Sequence, residues 1–227
     1  MKVLVCILFA VLAVEAQVEE ITEINWSNIK PIGELNNSNG NRRIFDGKAA
    51  SKSQFPYQAG LIMTIAESQY LGGGSLISSN RVLTAAHCVK DISYVLVILG
   101  AQLLRQDEST QVRIYVRPSG VVSHPQYDPE TNQNDIAMIK LPSAVTFNDA
   151  ISPIAFAEGI NDFVGDTGVM SGWGFFDKTN KQSMFLRFAD VKVITNSECS
   201  NKFEYIIDST ICAKGQGSAG GCDGDSG

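Results

Sequence analysis

The sequence predicts an all-β protein arranged as a sandwich or as a pair of barrels. From residue 44 onward, short runs of β-branched and aliphatic residues recur, and Gly, Pro, Asn or Asp separates each run from the next. The sequence contains no internal repeat, heptad pattern or low-complexity tract, which leaves many short strands packed as layers. One helix is predicted near Thr195 or Asn196, where a capping residue precedes Glu198. The clearest predicted strands span residues 94–99, 112–116, 136–141 and 190–194.

Composition excludes several classes of protein. The 227 residues are 44% hydrophobic and 19% charged, too apolar for a disordered chain. The net charge of −6 argues against a nucleic-acid partner, because such proteins need a basic face. With two histidines in the chain, a proton-transferring imidazole must belong to His87 or His124.

The N-terminus has the pattern of an exported precursor. Residues 1–16 combine one Lys with a short apolar run and small residues, which predicts a secretory signal peptide and no membrane span. Residues 17–43 are polar, carry two glycosylation sequons and end in a dibasic pair. This stretch is either a floppy extension or an activation pro-segment that is cut after Arg43 to expose Ile44.

Three short strings contain residues suited to nucleophilic catalysis. Residues 83–88 place His87 in an apolar stretch, Asp135 precedes an apolar strand, and glycines flank Ser226. Taken alone, each is more typical of an ordinary structural position: a core histidine, a turn carboxylate and a Gly-rich turn. Together they form a His, Asp and Ser set in the chain order of one known protease architecture.

With these residues the chain resembles the secreted serine endopeptidases of the chymotrypsin/trypsin family, and in particular the chymotrypsin-like or brachyurin (serine collagenase-like) members from arthropods. His124 matches a position that is not catalytic in the family and is interpreted as structural. Further family-like strings lie at residues 43–47, 55–58, 73–77, 124–127 and 171–174.

The resemblance implies a fold of two antiparallel six-stranded-type β-barrels formed by residues 44–227, with the second barrel incomplete and the active site between them. It implies that Ser226 is the nucleophile, that His87 is the general base and that Asp135 orients the imidazole. The backbone N–H groups of Gly224 and Ser226 would form the oxyanion hole.

Activation and specificity also follow from the resemblance. A trypsin-like protease would cut after Arg43, and the new N-terminal ammonium of Ile44 would pair with Asp225. The position that sets substrate preference is Gly220, which carries no charge. This predicts cleavage after apolar or mixed residues rather than basic ones, in a digestive role.

Once the signal peptide is removed, four cysteines remain and allow three pairings. The resemblance supports a disulfide between Cys199 and Cys212. The usual partner position of Cys88 is Gly72, and the usual partner of Cys222 lies further along the family's chain. We expect these two thiols to pair with each other, to pair with another molecule or to remain buried and free.

The resemblance further implies protein or peptide substrates, no cofactor or metal, and a secreted monomer. The family's domain continues past the residue that follows Ser226, so we expect residues 44–227 alone to form neither a competent protease nor a stable fold. The alternative is a non-catalytic homologue that acts as a binding or regulatory module. An extracellular adhesion sandwich fits the composition but leaves the three strings unexplained.

Overall fold

The computed structural model describes residues 23–36, 47–159, 162–176, 182–203, 205–215 and 225–227. Both α-helices in these stretches have four residues, which confirms the all-β prediction. The strands are β1 Lys30–Pro31, β2 Lys48–Ala49, β3 Gln58–Ile65, β4 Ser68–Ser78, β5 Arg81–Thr84, β6 Tyr94–Leu99, β7 Val112–Val116, β8 Val121–Ser123, β9 Ala137–Lys140, β10 Thr167–Gly172, β11 Arg187–Ile194 and β12 Cys212–Gly215. The helices are α1 Ala86–Val89 and α2 Asn196–Cys199, with 3-10 turns at Ile32–Asn36 and Pro118–Gly120.

The strands form two sheets. The larger has eight strands in the order β7-β6-β3-β4-β5-β9-β8, with β1 paired to β4. The smaller has four strands in the order β10-β11-β12, with β2 paired to β11. Apart from the parallel β1–β4 contact, the ladders are antiparallel among the strands described.

Both faces of the larger sheet are buried at its centre. On β3, Leu61 and Met63 face the larger apolar cluster, whereas Ile62 between them faces a second cluster. The larger cluster also contains Leu76, Val82 and Ile139 from the neighbouring strands β4, β5 and β9. That second cluster includes Trp173 and Leu186, which follow β10 and precede β11, so it lies between the two sheets. Because alternate residues point to opposite faces and both faces are covered, β3 is a continuous apolar run.

The strand predictions agree with the structure to within a few residues. The predicted strands at 94–99 and 112–116 coincide with β6 and β7, and the one at 136–141 contains β9. The one at 190–194 forms the C-terminal part of β11, which begins at Arg187 because its first residues pair with β10 and β2.

The predicted helix is α2, and its capping residue has the expected role. The Thr195 side chain accepts a hydrogen bond from the Glu198 backbone N–H at 3.1 Å. The last residue of α2, Cys199, forms a disulfide with Cys212, the first residue of β12. The disulfide is the pairing implied by the resemblance, and it ties α2 to the smaller sheet.

Residues 23–36, within the predicted pro-segment, pack against the rest of the protein. Lys30 and Pro31 pair in parallel with Tyr70 and Leu71 of β4. Ile32 is completely buried in the larger cluster. The sequence pattern indicated no regular strand here, because β1 is only two residues long and its stability comes from long-range packing.

No helix among the described residues has both the length and the apolar composition that crossing a bilayer requires. The predicted signal peptide, residues 1–16, lies outside the described residues.

Candidate active site

His87 lies on α1, the single helical turn that follows β5. The N-cap residue of this turn, Ala85, provides no side-chain cap for the free N–H groups. Asp135 caps the turn from a distant part of the chain, since its Oδ1 accepts the His87 backbone N–H at 2.8 Å. The Ala86 backbone N–H also bonds to this carboxylate. Capping therefore brings the Asp135 carboxylate beside the His87 ring.

The second carboxylate oxygen of Asp135 contacts the imidazole. Its Oδ2 lies 2.6 Å from His87 Nδ1, and the two side chains are 15% exposed for His87 and 22% exposed for Asp135. An ionised carboxylate only accepts hydrogen bonds, so Nδ1 carries the proton in this contact. The second ring nitrogen, Nε2, is left facing away from Asp135.

The backbone before Asp135 makes a tight turn that orients its carboxylate. Asn134 adopts a left-handed conformation with φ of 57°, which Asn tolerates better than most residues. The Asn134 side chain donates a hydrogen bond to the Gln126 carbonyl at 2.9 Å, and the Ile136 backbone N–H donates one to the Asn134 carbonyl at 2.8 Å. Asp135 is the central residue of this turn, two residues before the start of β9.

The contact between His87 and Asp135 shifts the pKa values of the two side chains in opposite directions. Burial alone would lower the pKa of His87, but hydrogen bonds to Asp135 and Cys88 and the nearby negative charge raise it to about 10. Burial alone would raise the pKa of Asp135, but the hydrogen bonds from His87 outweigh it and hold that pKa below its usual range. Asp135 therefore stabilises the imidazolium form of His87, which is the form the ring takes once it has accepted a proton.

Cys88 is a free, buried cysteine beside both His87 and Ser226. Its Sγ lies 3.4 Å from His87 Nε2 and 3.5 Å from the Ser226 carbonyl oxygen. That carbonyl accepts the Gly73 backbone N–H at 2.6 Å. Among the described residues no hydrogen bond joins His87 Nε2 to the Ser226 hydroxyl. The structure thus brings His87 and Asp135 into contact and places the Ser226 backbone next to them.

The glycines of β4 make room for this arrangement. A Cβ added at Gly72 would lie 3.1 Å from the Ser226 carbonyl oxygen and 3.5 Å from Cys88 Sγ. At Gly74 an added Cβ would lie 2.9 Å from the Leu83 carbonyl oxygen of the neighbouring strand. A side chain at Gly74 would therefore push the neighbouring strand away, whereas one at Gly72 requires its neighbours to shift by only a few tenths of an ångström.

Asp225 packs against the smaller sheet. Its Oδ1 accepts the Gly174 backbone N–H at 2.7 Å. A Cβ added at Gly172 would lie 2.9 Å from the Asp225 carboxyl carbon and closer still to Oδ1. Gly172 and Gly174 together form the cradle that holds the carboxylate next to Ser226.

Several predicted site residues lie outside the described residues. These are the oxyanion-hole residue Gly224, the specificity residue Gly220, the thiol of Cys222, and the cleavage pair Arg43 and Ile44. Within the described part of the chain, no group of three or more His, Cys, Asp or Glu side chains could hold a metal ion.

Among the described residues, His124 forms hydrogen bonds with neither His87 nor Asp135. Its Nδ1 accepts the Gln126 backbone N–H at 3.2 Å, and its own N–H donates to the Ile136 carbonyl at 2.9 Å. These bonds hold the turn before β9.

Sequence reasoning missed two contributors to the site. It treated Cys88 as an unpaired thiol without placing its Sγ at His87 Nε2, although the two residues are adjacent in sequence. It also missed Gly73, whose backbone N–H holds the Ser226 carbonyl. The run of three glycines at 72–74 was the available signal, since such a run within a strand indicates close backbone approach.

The sequence comparisons agree on one family. The family model described as Trypsin matches residues 44–227. Brachyurin from Leptuca pugilator is 37% identical over 185 residues, which cover 81% of this chain and 79% of that protein. A collagenase from Hypoderma lineatum is 36% identical over 191 residues, covering 82% and 70%. A chymotrypsin from Phaedon cochleariae is 33% identical over 188 residues, covering 81% and 67%.

The structural comparison gives the same answer. The solved structure of HL collagenase matches with a TM-score of 0.71 and 36% identity, covering 81% of this chain and 79% of that one. The solved structure of GrC matches with a TM-score of 0.69 and 28% identity, covering 75% of each chain. The predicted chymotrypsin-like fold is therefore confirmed. With a family model across most of its length and relatives above 30% identity, the chain belongs to the trypsin family of chymotrypsin-like serine endopeptidases.

Proposed function

We propose that the protein is the zymogen of a secreted serine endopeptidase that uses Ser226, His87 and Asp135 as its catalytic triad. The observation that carries the proposal is the contact between Asp135 Oδ2 and His87 Nδ1 at 2.6 Å. It fixes the imidazole tautomer and leaves Nε2 directed toward Cys88 Sγ, which itself lies 3.5 Å from the Ser226 carbonyl. A base oriented in this way is suited to activate a neighbouring hydroxyl.

In the proposed reaction the Ser226 hydroxyl replaces Cys88 Sγ as the partner of His87 Nε2. Ser226 Oγ attacks the peptide carbonyl carbon while Nε2 takes its proton, and Asp135 stabilises the imidazolium that forms. His87 then returns the proton to the leaving amine, and the acyl group stays on Ser226. Water deprotonated by His87 hydrolyses that ester and regenerates the hydroxyl. The backbone N–H groups of Gly224 and Ser226 would hold the oxyanion.

Activation is proposed to follow cleavage between Arg43 and Ile44 by a trypsin-like protease. The new ammonium of Ile44 would pair with Asp225, the residue before the nucleophile. The cradle of Gly172 and Gly174 supports this role, because it already holds the Asp225 carboxylate at a fixed place beside Ser226. A buried charge pair is a sound switch, since an unpaired buried charge is strongly unfavourable.

The substrate class is proposed from Gly220, which would leave the specificity pocket without a charge. Cleavage after large apolar or mixed residues then follows. Relatives named brachyurin, collagenase and chymotrypsin support an endopeptidase that degrades protein, here in a digestive setting. The predicted signal peptide at residues 1–16 supports secretion, and the protein is proposed to act as a monomer.

The test is hydrolysis of peptide amides by the protein as its natural source secretes it, and by variants of that same protein, after cutting with immobilised trypsin, which is then removed. We expect cleavage after Phe or Leu to exceed cleavage after Arg. Ser226→Ala and His87→Ala should each lose about 10⁴-fold or more in kcat. His124→Ala is the matched control and should retain activity. Equal, low rates for all four proteins would refute the proposal.

A second candidate function is a non-catalytic homologue that binds rather than cleaves proteins. It is favoured by one observation: His87 Nε2 contacts Cys88 Sγ rather than the Ser226 hydroxyl. Labelling by a fluorophosphonate probe discriminates the two functions, because the probe reacts with an activated serine only. Absence of labelling at Ser226 after trypsin cleavage would favour the non-catalytic homologue.

A further inference from the structure

We propose that residues 23–36 remain bound to the protease domain as a non-covalent ligand after the chain is cut between Arg43 and Ile44. The proposal rests on the proposed zymogen function, which supplies the cut. Its physical basis is the set of contacts that residues 23–36 make with β4 and with both apolar clusters.

The backbone contact fills an edge of β4 that its neighbours leave open. On one side, β4 pairs with β3 along its first eight residues. On the other side, β5 pairs with β4 only from Ser75 onward. Lys30 and Pro31 occupy that second side at Tyr70 and Leu71. An extended segment that adds to a sheet edge is a common mode of peptide binding.

Two isoleucines anchor the segment in the protein interior. Ile32 is completely buried and joins the larger apolar cluster, while Ile29 is 8% exposed and joins the cluster between the sheets with Trp173 and Leu186. Full burial of one such side chain strengthens binding by roughly 10- to 150-fold. Loss of the segment would also leave the space of Ile32 unfilled, which disfavours release.

Polar contacts fix the segment at three further points. The Gln182 side chain donates to the Ile29 carbonyl at 3.1 Å, and the Asn25 N–H donates to Gln69 Oε1 at 3.0 Å. The guanidinium of Arg113 lies 5.7 Å from the centre of the Trp26 ring. These partners come from β4, from β7 and from the stretch before β11, so the segment bridges both sheets.

No covalent link would hold the segment after cleavage. Residues 17–43 contain no cysteine, so a disulfide to the protease domain is impossible. Retention must therefore come from the β4 edge, the two isoleucines and the polar contacts. The bound strand ends one residue from Gly72 and two from Gly73, whose N–H holds the Ser226 carbonyl. The segment therefore pairs with β4, the same strand whose Gly73 contacts the Ser226 carbonyl at the candidate active site.

The experiment uses the secreted chain carrying Ser226→Ala, cut with immobilised trypsin. Trypsin does not cut Lys30–Pro31, because Pro follows the Lys, so residues 23–36 stay intact. Size-exclusion chromatography at about 10 μM protein, followed by intact mass under denaturing conditions, reports whether the fragment that ends at Arg42 or Arg43 travels with the domain. We expect co-elution in native buffer and separation in guanidinium chloride.

Matched variants identify the contacts responsible. Ile32→Ala should weaken retention roughly 30-fold or more, whereas Glu34→Ala, an exposed position in the same segment, should leave it unchanged. If Ile32→Ala is not secreted, Trp26→Ala and a dilution series of the parent protein measure the same affinity. Free fragment in native buffer at 10 μM would overturn the proposal.

These outcomes are independent of catalysis. The Ser226→Ala chain lacks the proposed nucleophile, so fragment retention is measured whether or not the parent protein hydrolyses peptides. The peptide-amide assay tests the proposed function by itself.

Discussion

Replacing Gly172 by Ala tests whether the position of Asp225 controls the reactivity of Ser226. Gly172 is the last residue of β10, and its Cα faces the Asp225 carboxylate. An added Cβ would lie 2.9 Å from the carboxyl carbon and closer still to Oδ1. Such a separation from a carbon is shorter than folded proteins accept, so the carboxylate must move.

The displacement has a predictable size. Restoring an ordinary contact requires the Asp225 carboxylate to retreat by roughly 1 Å, and the 2.7 Å hydrogen bond from the Gly174 N–H is then stretched or lost. The added Cβ also lies 3.2 Å from Asp225 Cβ, so the displacement reaches the backbone that precedes Ser226, the proposed nucleophile. A misplacement of about 1 Å costs around 10²-fold in rate.

Gly168→Ala on the same strand is the matched control. Its added Cβ meets only Val191 Cγ2 at 3.6 Å, an ordinary contact, so the same chemical change causes no displacement. We expect kcat/KM on an apolar peptide amide to fall about 10²-fold for Gly172→Ala and to stay near the parent value for Gly168→Ala. Thermal unfolding of both variants checks that the fold is kept. Equal activity in the two variants would refute the reasoning.

Three further changes test other contacts. Cys88→Ala removes a group that raises the pKa of His87. Because protonated His87 cannot accept the Ser226 proton, the acid limb of the pH profile of kcat/KM should move to lower pH. An acid limb at the same pH in the variant and the parent protein would contradict the Cys88 contact. Gly72→Cys puts a Cβ 3.5 Å from Cys88 Sγ, so thiol titration should find a new disulfide between the two residues. Unfolding in urea should show a gain of about 3 kcal/mol in the free energy of unfolding. Two free thiols in the variant would count against this geometry. Thr195→Ala removes the cap of α2 and should lower the free energy of unfolding by about 1 kcal/mol, measured in urea; no change would mean that the cap bond is not formed in solution.

The parts of this fold that depend on local pattern were predictable. The run at 94–99 is β6, which was predictable because its aliphatic residues face both buried sides of the sheet. The run at 112–116 is β7, an edge strand that was predictable from its alternating β-branched residues. Thr195 indicated the start of α2, since a threonine side chain bonds to the N–H groups of the turn that follows it. The pattern did not predict β1, whose two residues owe their conformation to Tyr70 and Leu71 of a distant strand.

The sequence by itself determined the strand content, the family-like strings and the identity of the titratable groups available for chemistry. Only the tertiary structure decided which groups meet. Asp135 reaches His87 across 48 residues because the N-terminus of α1 needs a cap, and Cys88 Sγ lies between His87 Nε2 and the Ser226 carbonyl. Tertiary packing likewise buried Ile32 of the predicted pro-segment. Local propensity acts over a few residues, whereas these contacts join distant segments and form only when the sheets pack together.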